Sequence, residues 1–157
     1  MKQDKKQELK NRIIYANPTQ LIAIVYEITE THLDEALASY EDGKMEDFDA
    51  SVNKATKCIG DLIEALDMQY EISNHLLNLY TFFNKALALS VVKRDVETVK
   101  RVKSMIHQLR ESFEKLAATD DSEALMKNTQ EVYAGLTYGK GELNESTISQ
   151  DNRGFIV

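Results

Sequence analysis

Three histidines, one cysteine and many carboxylates are the side chains here that could do chemistry, and their spacing decides how much. A carboxylate-bridged di-iron site in a helical protein needs Glu-x-x-His units, because that step points both ligands inward from one turn. The residues three before His32, His75 and His107 are Thr29, Ile72 and Ser104, so none qualifies. Cys58 stands alone, which allows no intrachain disulfide and no thiolate cluster; beside the apolar stripe of its own helix it reads as a small hydrophobe. There is no Gly-rich phosphate loop, no Gly-x-Ser-x-Gly elbow and no His-Glu-x-x-His pair. Between Glu27 and Asp49, Lys44 is the only lysine or arginine among nine carboxylates. No cation-loop spacing organises them, so they describe a solvated acidic face. No catalytic residue, metal ligand or cofactor is expected, and the chain reads as a protein that works by binding.

One histidine supports an alternative. His107-Gln108-Leu109-Arg110-Glu111-Ser112 loosely resembles the phosphoacceptor segment of histidine phosphotransfer bundles. In those, an exposed helical histidine takes phosphate beside a lysine, with a small residue close by for access. Arg110 could contact a phosphate, but Glu111 stands where glycine usually allows approach, and its charge repels the incoming group. A signalling bundle using His107 is therefore the second reading, and a surface histidine the plainer account.

The elements that carry these residues are all helical. Glu71 to Val92 bears two apolar stripes. Ile72, Leu76, Leu79, Phe83 and Ala86 form one; Leu77, Tyr80, Leu87 and Val91 form the other, with Asn84 at its polar step. A helix apolar over so wide an arc is either buried at the centre of a bundle or keeps one stripe for a partner. Asn17-Pro18-Thr19-Gln20 is a strong helix start, and the helix after it should run to about Tyr40, burying Leu21, Val25, Ile28, Ala36 and Leu37. Glu41 to Lys44 stops it. Phe48, Val52, Ala55, Ile59, Leu62 and Leu66 mark a helix from about Glu46 to Asp67, with Gly60 tolerated inside it by a close helix crossing. Asp95 caps a last long helix with the stripe Val99, Val102, Ile106, Leu109, Phe113 and Leu116.

Short connections between long helices make neighbours antiparallel. The expected fold is all-α: an antiparallel up-down four-helix bundle over residues 17–118, an N-terminal arm over 1–16, and a short helix plus extended tail over 119–157. Ile59, Leu62, Leu79, Phe83 and Ile106 should be core. The arm is a polar segment or short helix ending in Ile13, Ile14 and Tyr15. The last part should start a short helix near Glu123, dock it on the bundle, and be dispensable for closing the core.

Composition narrows the partners. The 157 residues suit one domain, and 43% hydrophobic with 29% charged residues describe an ordinary soluble protein. A net charge of −7 argues against nucleic acid, whose phosphates need a lysine and arginine surplus. No run is apolar enough to span a membrane and the lysine-rich start has no signal core, so a cytoplasmic protein without membrane insertion is expected.

Several segments together resemble one family. Asn17-Pro18-Thr19-Gln20-Leu21-Ile22, then Val25-Tyr26-Glu27, is similar to the Ser-Pro-x-x-Leu-Ile…Leu-Tyr-Asp-Gly opening of the flagellar export chaperone FliS. Lys54-Ala55, Ile59, Asp61-Leu62 and Leu66-Asp67 are similar to its second helix. Leu76, Leu79-Tyr80, Phe83 and Leu87 resemble its third, and Lys93-Arg94-Asp95 with Leu109-Arg110 its fourth. The likeness covers about residues 15–117, and the end of the chain is similar to that of clostridial relatives. Ile28 replaces the usual glycine, Phe113 a frequent tryptophan, and Asn17 a serine that caps equally well.

The resemblance implies a cytosolic chaperone, monomer or homodimer, that binds the C-terminal helical segment of flagellin. It would prevent premature polymerisation and deliver the client to the flagellar export gate, with no cofactor. On this reading the client meets Ile14 and Tyr15 of the arm, Leu21, Ile22 and Tyr26 of the first long helix, and Leu77, Tyr80 and Leu87 of the second stripe. Similar arms in the family lie over part of the client groove, so the arm should move when flagellin arrives; the alternative is that Ile13, Ile14 and Tyr15 form a hydrophobic staple around the Asn17 cap.

Overall fold

Asn17 begins the longest helix with a complete capping box. Its side chain accepts from Gln20 N (2.8 Å) while Gln20 Oε1 accepts from Asn17 N (3.0 Å), and Pro18 supplies the first helical φ. The structure, a computed structural model, describes residues 1–126. The five helices of this part are α1 (Gln3–Tyr15), α2 (Pro18–Glu41), α3 (Met45–Glu64), α4 (Glu71–Lys93) and α5 (Val96–Ala117), with no strand among the described residues.

Helices α2 to α5 close a ring. Each packs on its neighbours in sequence, α5 closes back on α2, and α2 and α4 face each other across the diagonal. The two-residue step Arg94-Asp95 and the three-residue turn Asp42–Lys44 fold neighbouring helices back on one another. The fold is the all-α bundle that the apolar periods predict, with α1 added on the outside of α2.

The broad stripe of α4 left two places for this helix, the centre of the bundle or an edge with one stripe kept for a partner, and it is not the centre. The central helix is α2, which packs against α1, α3 and α5, whereas α4 lays its backbone against α3 and α5 alone among the described helices, least of all α5, and meets α2 through the Tyr26–Tyr80 pair. Its inward arc runs between the two predicted stripes: Ser73, Tyr80, Phe83, Leu87 and Ser90 are buried. Each stripe gives the core its inner half and leaves its outer half at the edge. Leu79, expected in the core, is half-buried at that edge, while Phe83, Ile59, Leu62 and Ile106 are core residues. On α2, being enclosed on three sides buries Ala23, Ile24, Tyr26, Thr29, Glu30, Leu33 and Ala36, and leaves Leu21, Val25, Ile28 and Leu37 half-buried.

The interior also holds polar groups. The hydroxyls of Tyr26 and Tyr80 hydrogen-bond each other across the diagonal, and burial pushes both phenols above their ordinary range. Such pairing gives each buried hydroxyl a partner, one donating and the other accepting, where an unpaired one would be costly. Asn84 Oδ1 of α4 is buried with no hydrogen-bond partner among the described residues, an arrangement that typically costs about 1–3 kcal/mol.

Gly43 closes the α2–α3 turn at φ +72°, a left-handed conformation that glycine adopts without strain. Gly60 has another character: a Cβ built there meets nothing within 4 Å, so no close crossing explains it. Gly60→Ala is therefore expected to stabilise the protein by about 0.5–1 kcal/mol through helix propensity alone. Urea denaturation checks it, and a loss of stability would reveal a contact at that position.

Asp95 caps α5, accepting from Thr98 N (3.1 Å) and from Thr98 Oγ1 (2.6 Å). These hydrogen bonds hold its carboxyl below the usual range, as Ser122 and Thr19 do for Asp120. A depressed carboxyl pKa contributes stability above the unfolded value of about 4, and the contribution disappears as pH falls through the folded value. Asparagine caps equally well but does not titrate. The stability difference between wild type and Asp95→Asn should therefore shift in favour of the variant below about pH 4. A difference that stays constant from pH 7 to pH 2.5 in denaturant titrations would show that the ionised form contributes nothing.

After Ala117 the chain turns back along the start of α2. Asp120 O accepts from Asn17 Nδ2 (3.2 Å), Asp120 Oδ2 from Thr19 Oγ1 (2.5 Å), and Leu125 N donates to Ala16 O (3.1 Å). Residues 123–126, where a short helix was expected to start, are not helical. The remainder of that element and of the expected tail lies outside the described residues.

Candidate functional site

Helix α1 packs as a cover. Leu9 and Ile13 recur at four residues and, with Ala16, pack on Leu21, Ile24 and Ile28 of α2. That α2 stripe repeats at three and four, so an amphipathic helix is its natural occupant. Among the described helices, the backbone of α1 lies against α2 alone. Charged groups fasten it: Arg12 Nη1 donates to Glu27 Oε2 (2.8 Å), Lys5 Nζ to Thr31 Oγ1 (3.0 Å), and the N-terminal ammonium pairs with Glu35. These ties are mostly at the surface, where each is worth about 0–1 kcal/mol. Between α1, α2 and the end of α5 lies a cavity of about 590 Å³, bordered by Arg12, Tyr15, Ala23, Ile24 and Glu114.

The residues expected to meet a client fall into three groups. Ile14 and Tyr15 are on the surface at the end of α1, with Tyr15 71% exposed. Leu21 and Ile22 are half-buried, Leu21 under α1 and Ile22 against the main core, and Leu77 is half-buried on α4. Tyr26, Tyr80 and Leu87 are fully inside the bundle, so in this state they offer no surface to a partner. The reason is the position of the α4 inward arc: the second stripe read as spare is half core. The three residues shape the surface from within, Tyr26 and Tyr80 through their shared hydrogen bond and Tyr26 also through an edge contact with Phe113 at 5.5 Å.

A surface that the sequence reading passed over lies between α4 and α5. Phe82, Ala86 and Leu89 of α4 and Met105 of α5 line an apolar groove of about 500 Å³, with Lys85 and Arg101 on its sides. Phe82 is 52% and Leu89 51% exposed. Their separation of seven residues, two helical turns, is a signal that was present in the sequence.

On the opposite side of α5, Glu30 of α2 is buried yet paired twice. It accepts from Arg110 Nη1 (2.8 Å), and its other oxygen meets His107 Nδ1 at 2.7 Å. Burial opposes the charge of Arg110, but hydrogen bonds to Glu114 and Glu30 outweigh it and keep the guanidinium pKa above its ordinary value. His107 is thus flanked by Glu30 and, 3.6 Å from its Nε2, by Glu111. Two carboxylates around the ring repel a phosphoryl group, which weighs against the phosphotransfer reading. The other two histidines are separate: His32 pairs with Glu35 of its own helix and His75 is exposed. Among the described residues no cluster of histidine, cysteine and carboxylate could hold a metal ion, and no helix is long and apolar enough to cross a membrane.

Comparison with curated proteins finds no match. A protein-family profile described as "Flagellar protein FliS" matches residues 1–120, which takes in α1, the whole bundle and the first residues beyond it. With its helical bundle and a match over most of its length, the chain belongs to the FliS family of flagellar chaperones.

Proposed function

We propose that this protein is a cytoplasmic, flagellin-specific export chaperone. It binds the C-terminal helical segment of flagellin, keeps that segment from polymerising early, and presents it to the flagellar export gate. The observation that carries the reading is α1 lying as an amphipathic helix on Leu21, Ile24 and Ile28, with its backbone against no other described helix. A client helix with a similar apolar stripe can take that place by helix-in-groove docking. Leu9 and Ile13 contribute about 1.5–3 kcal/mol each by burial when fully covered, so a longer client stripe can outcompete them. Ile14, Tyr15, Leu21 and Ile22 then contact the client, and Leu77 adds to the surface on α4. Tyr26, Tyr80 and Leu87 hold the receptor surface in shape. The work is done by binding alone, which agrees with the lack of catalytic motifs in the sequence.

The test is co-purification with flagellin from the same cell, with and without its C-terminal segment. Full-length flagellin should be retained and the truncated form lost, and residues 1–15 should become more sensitive to protease in the complex. Equal retention of the truncated flagellin would overturn the reading. Unchanged protease sensitivity would show that α1 is not the segment displaced.

A further inference from the structure

We propose that the groove between α4 and α5 is a docking site for an amphipathic helix of a partner protein, one whose apolar stripe is bordered by acidic residues. Three features of the groove specify that occupant. The first is shape. Phe82, Leu89 and Met105 stand along a seam between two antiparallel helices, the seam at which α4 is held most weakly. At helical spacing from these residues, α4 also carries half-buried Leu79 and exposed Ile72, and α5 half-buried Leu109 and exposed Leu116. Both helices therefore have apolar side chains at helical spacing beyond the groove itself, which suits a helical occupant. The second is plasticity, because Met105 can repack around an arriving side chain.

The third is charge. Lys85 and Arg101 line the groove, one from each helix, and among the described residues neither makes a salt bridge. Arg101 donates to Thr98 Oγ1 at 2.9 Å. The acidic residue in the lining, Asp95, is engaged in capping α5 through Thr98 and only secondarily feels the charge of Arg101, so the groove keeps a net positive border. Arg12, Arg94, Lys103 and Arg110, which lie where two helices meet, are matched with carboxylates of the neighbouring helix, whereas the two groove cations also lie between helices and are not. In a chain of net charge −7, two cations left beside an apolar groove complement a partner that brings carboxylates. The proposal does not rest on flagellin being the client of the α1–α2 surface, because the groove can be probed by itself.

Two designed helical peptides with the same leucine stripe, one bordered by glutamate and one by lysine, serve as probes for the full-length protein. In fluorescence anisotropy at low salt the glutamate peptide should bind about ten-fold more tightly than the lysine peptide, and high salt should narrow the gap. The double variant Lys85→Glu/Arg101→Glu should reverse the preference. Phe82→Ser/Leu89→Ser, which alters only exposed side chains, should abolish binding of both peptides while helicity by circular dichroism is unchanged. Equal affinity for the two peptides, or binding that survives the serine variant, would overturn the proposal. So would binding of the glutamate peptide only after removal of residues 127–157, since the groove would then belong to this chain's own end. Capture of anionic phospholipid vesicles in preference to either peptide would likewise overturn it, by making the ligand a membrane surface.

Discussion

Phe83→Ala is expected to lower the stability of the protein by about 3–5 kcal/mol, the cost of removing a fully enclosed phenyl ring and leaving its cavity. Phe83 is 0% exposed and sits on the inward arc of α4 with Tyr80 and Leu87. The surroundings can relax only partly. Tyr80 on the same arc is tied across the bundle to Tyr26, so movement toward the cavity would stretch the hydrogen bond that satisfies two buried hydroxyls. Because α4 is the least firmly packed helix of the ring, the loss should appear there first. Hydrogen exchange should accelerate in α4 more than in α2, with a lower midpoint in urea and a lower melting temperature. A loss well under 1 kcal/mol would mean that this arc does not face inward.

The second large effect concerns Glu30. Its carboxylate is buried beside Arg110 and His107, and removing the guanidinium leaves a charge without its main partner. Breaking a buried pair on one side typically costs about 3–5 kcal/mol. Arg110 is 27% exposed and His107 remains in place, so about 2 kcal/mol is expected for Arg110→Ala. The instructive variant is the double replacement Glu30→Leu/Arg110→Met. It removes the charge together with its partner and should recover most of the loss, because a well-packed apolar pair of similar volume is often as stable as the ion pair. Denaturant titration of the three proteins decides between the outcomes. A double variant as weak as Arg110→Ala would show that the site contributes through its shape more than through charge pairing.

Much of this architecture is written into local sequence. Asn17, Pro18 and Gln20 build a capping box within four residues, and Asp95 reaches Thr98 within one turn, so the helix starts depend on short-range geometry alone. The stripes Phe48–Val52–Ala55–Ile59–Leu62 and Val99–Val102–Ile106 point inward as their 3.6-residue period requires, because α3 and the first half of α5 each have one dry side. The family likeness was legible for a related reason: it rests on the order of such local signals along the chain.

What the sequence could not decide is which of several apolar rows faces the centre. The α4 stripes are equivalent as periodic patterns, and only packing between α3 and α5 selects the arc between them. That selection placed Tyr80 and Leu87 inside and left Phe82 and Leu89 on the surface. In the same way, nothing local to Glu30 announces that Arg110, eighty residues later, will lie beside it. Nor does the arm of residues 1–16 reveal by itself that Leu9 and Ile13 will cover Leu21, Ile24 and Ile28. Periodicity determines that a helix has an apolar face, since it depends on neighbours three and four residues away. Which face meets the core, and which is left for a partner, is decided by elements far apart in sequence, and only the tertiary structure brings those together.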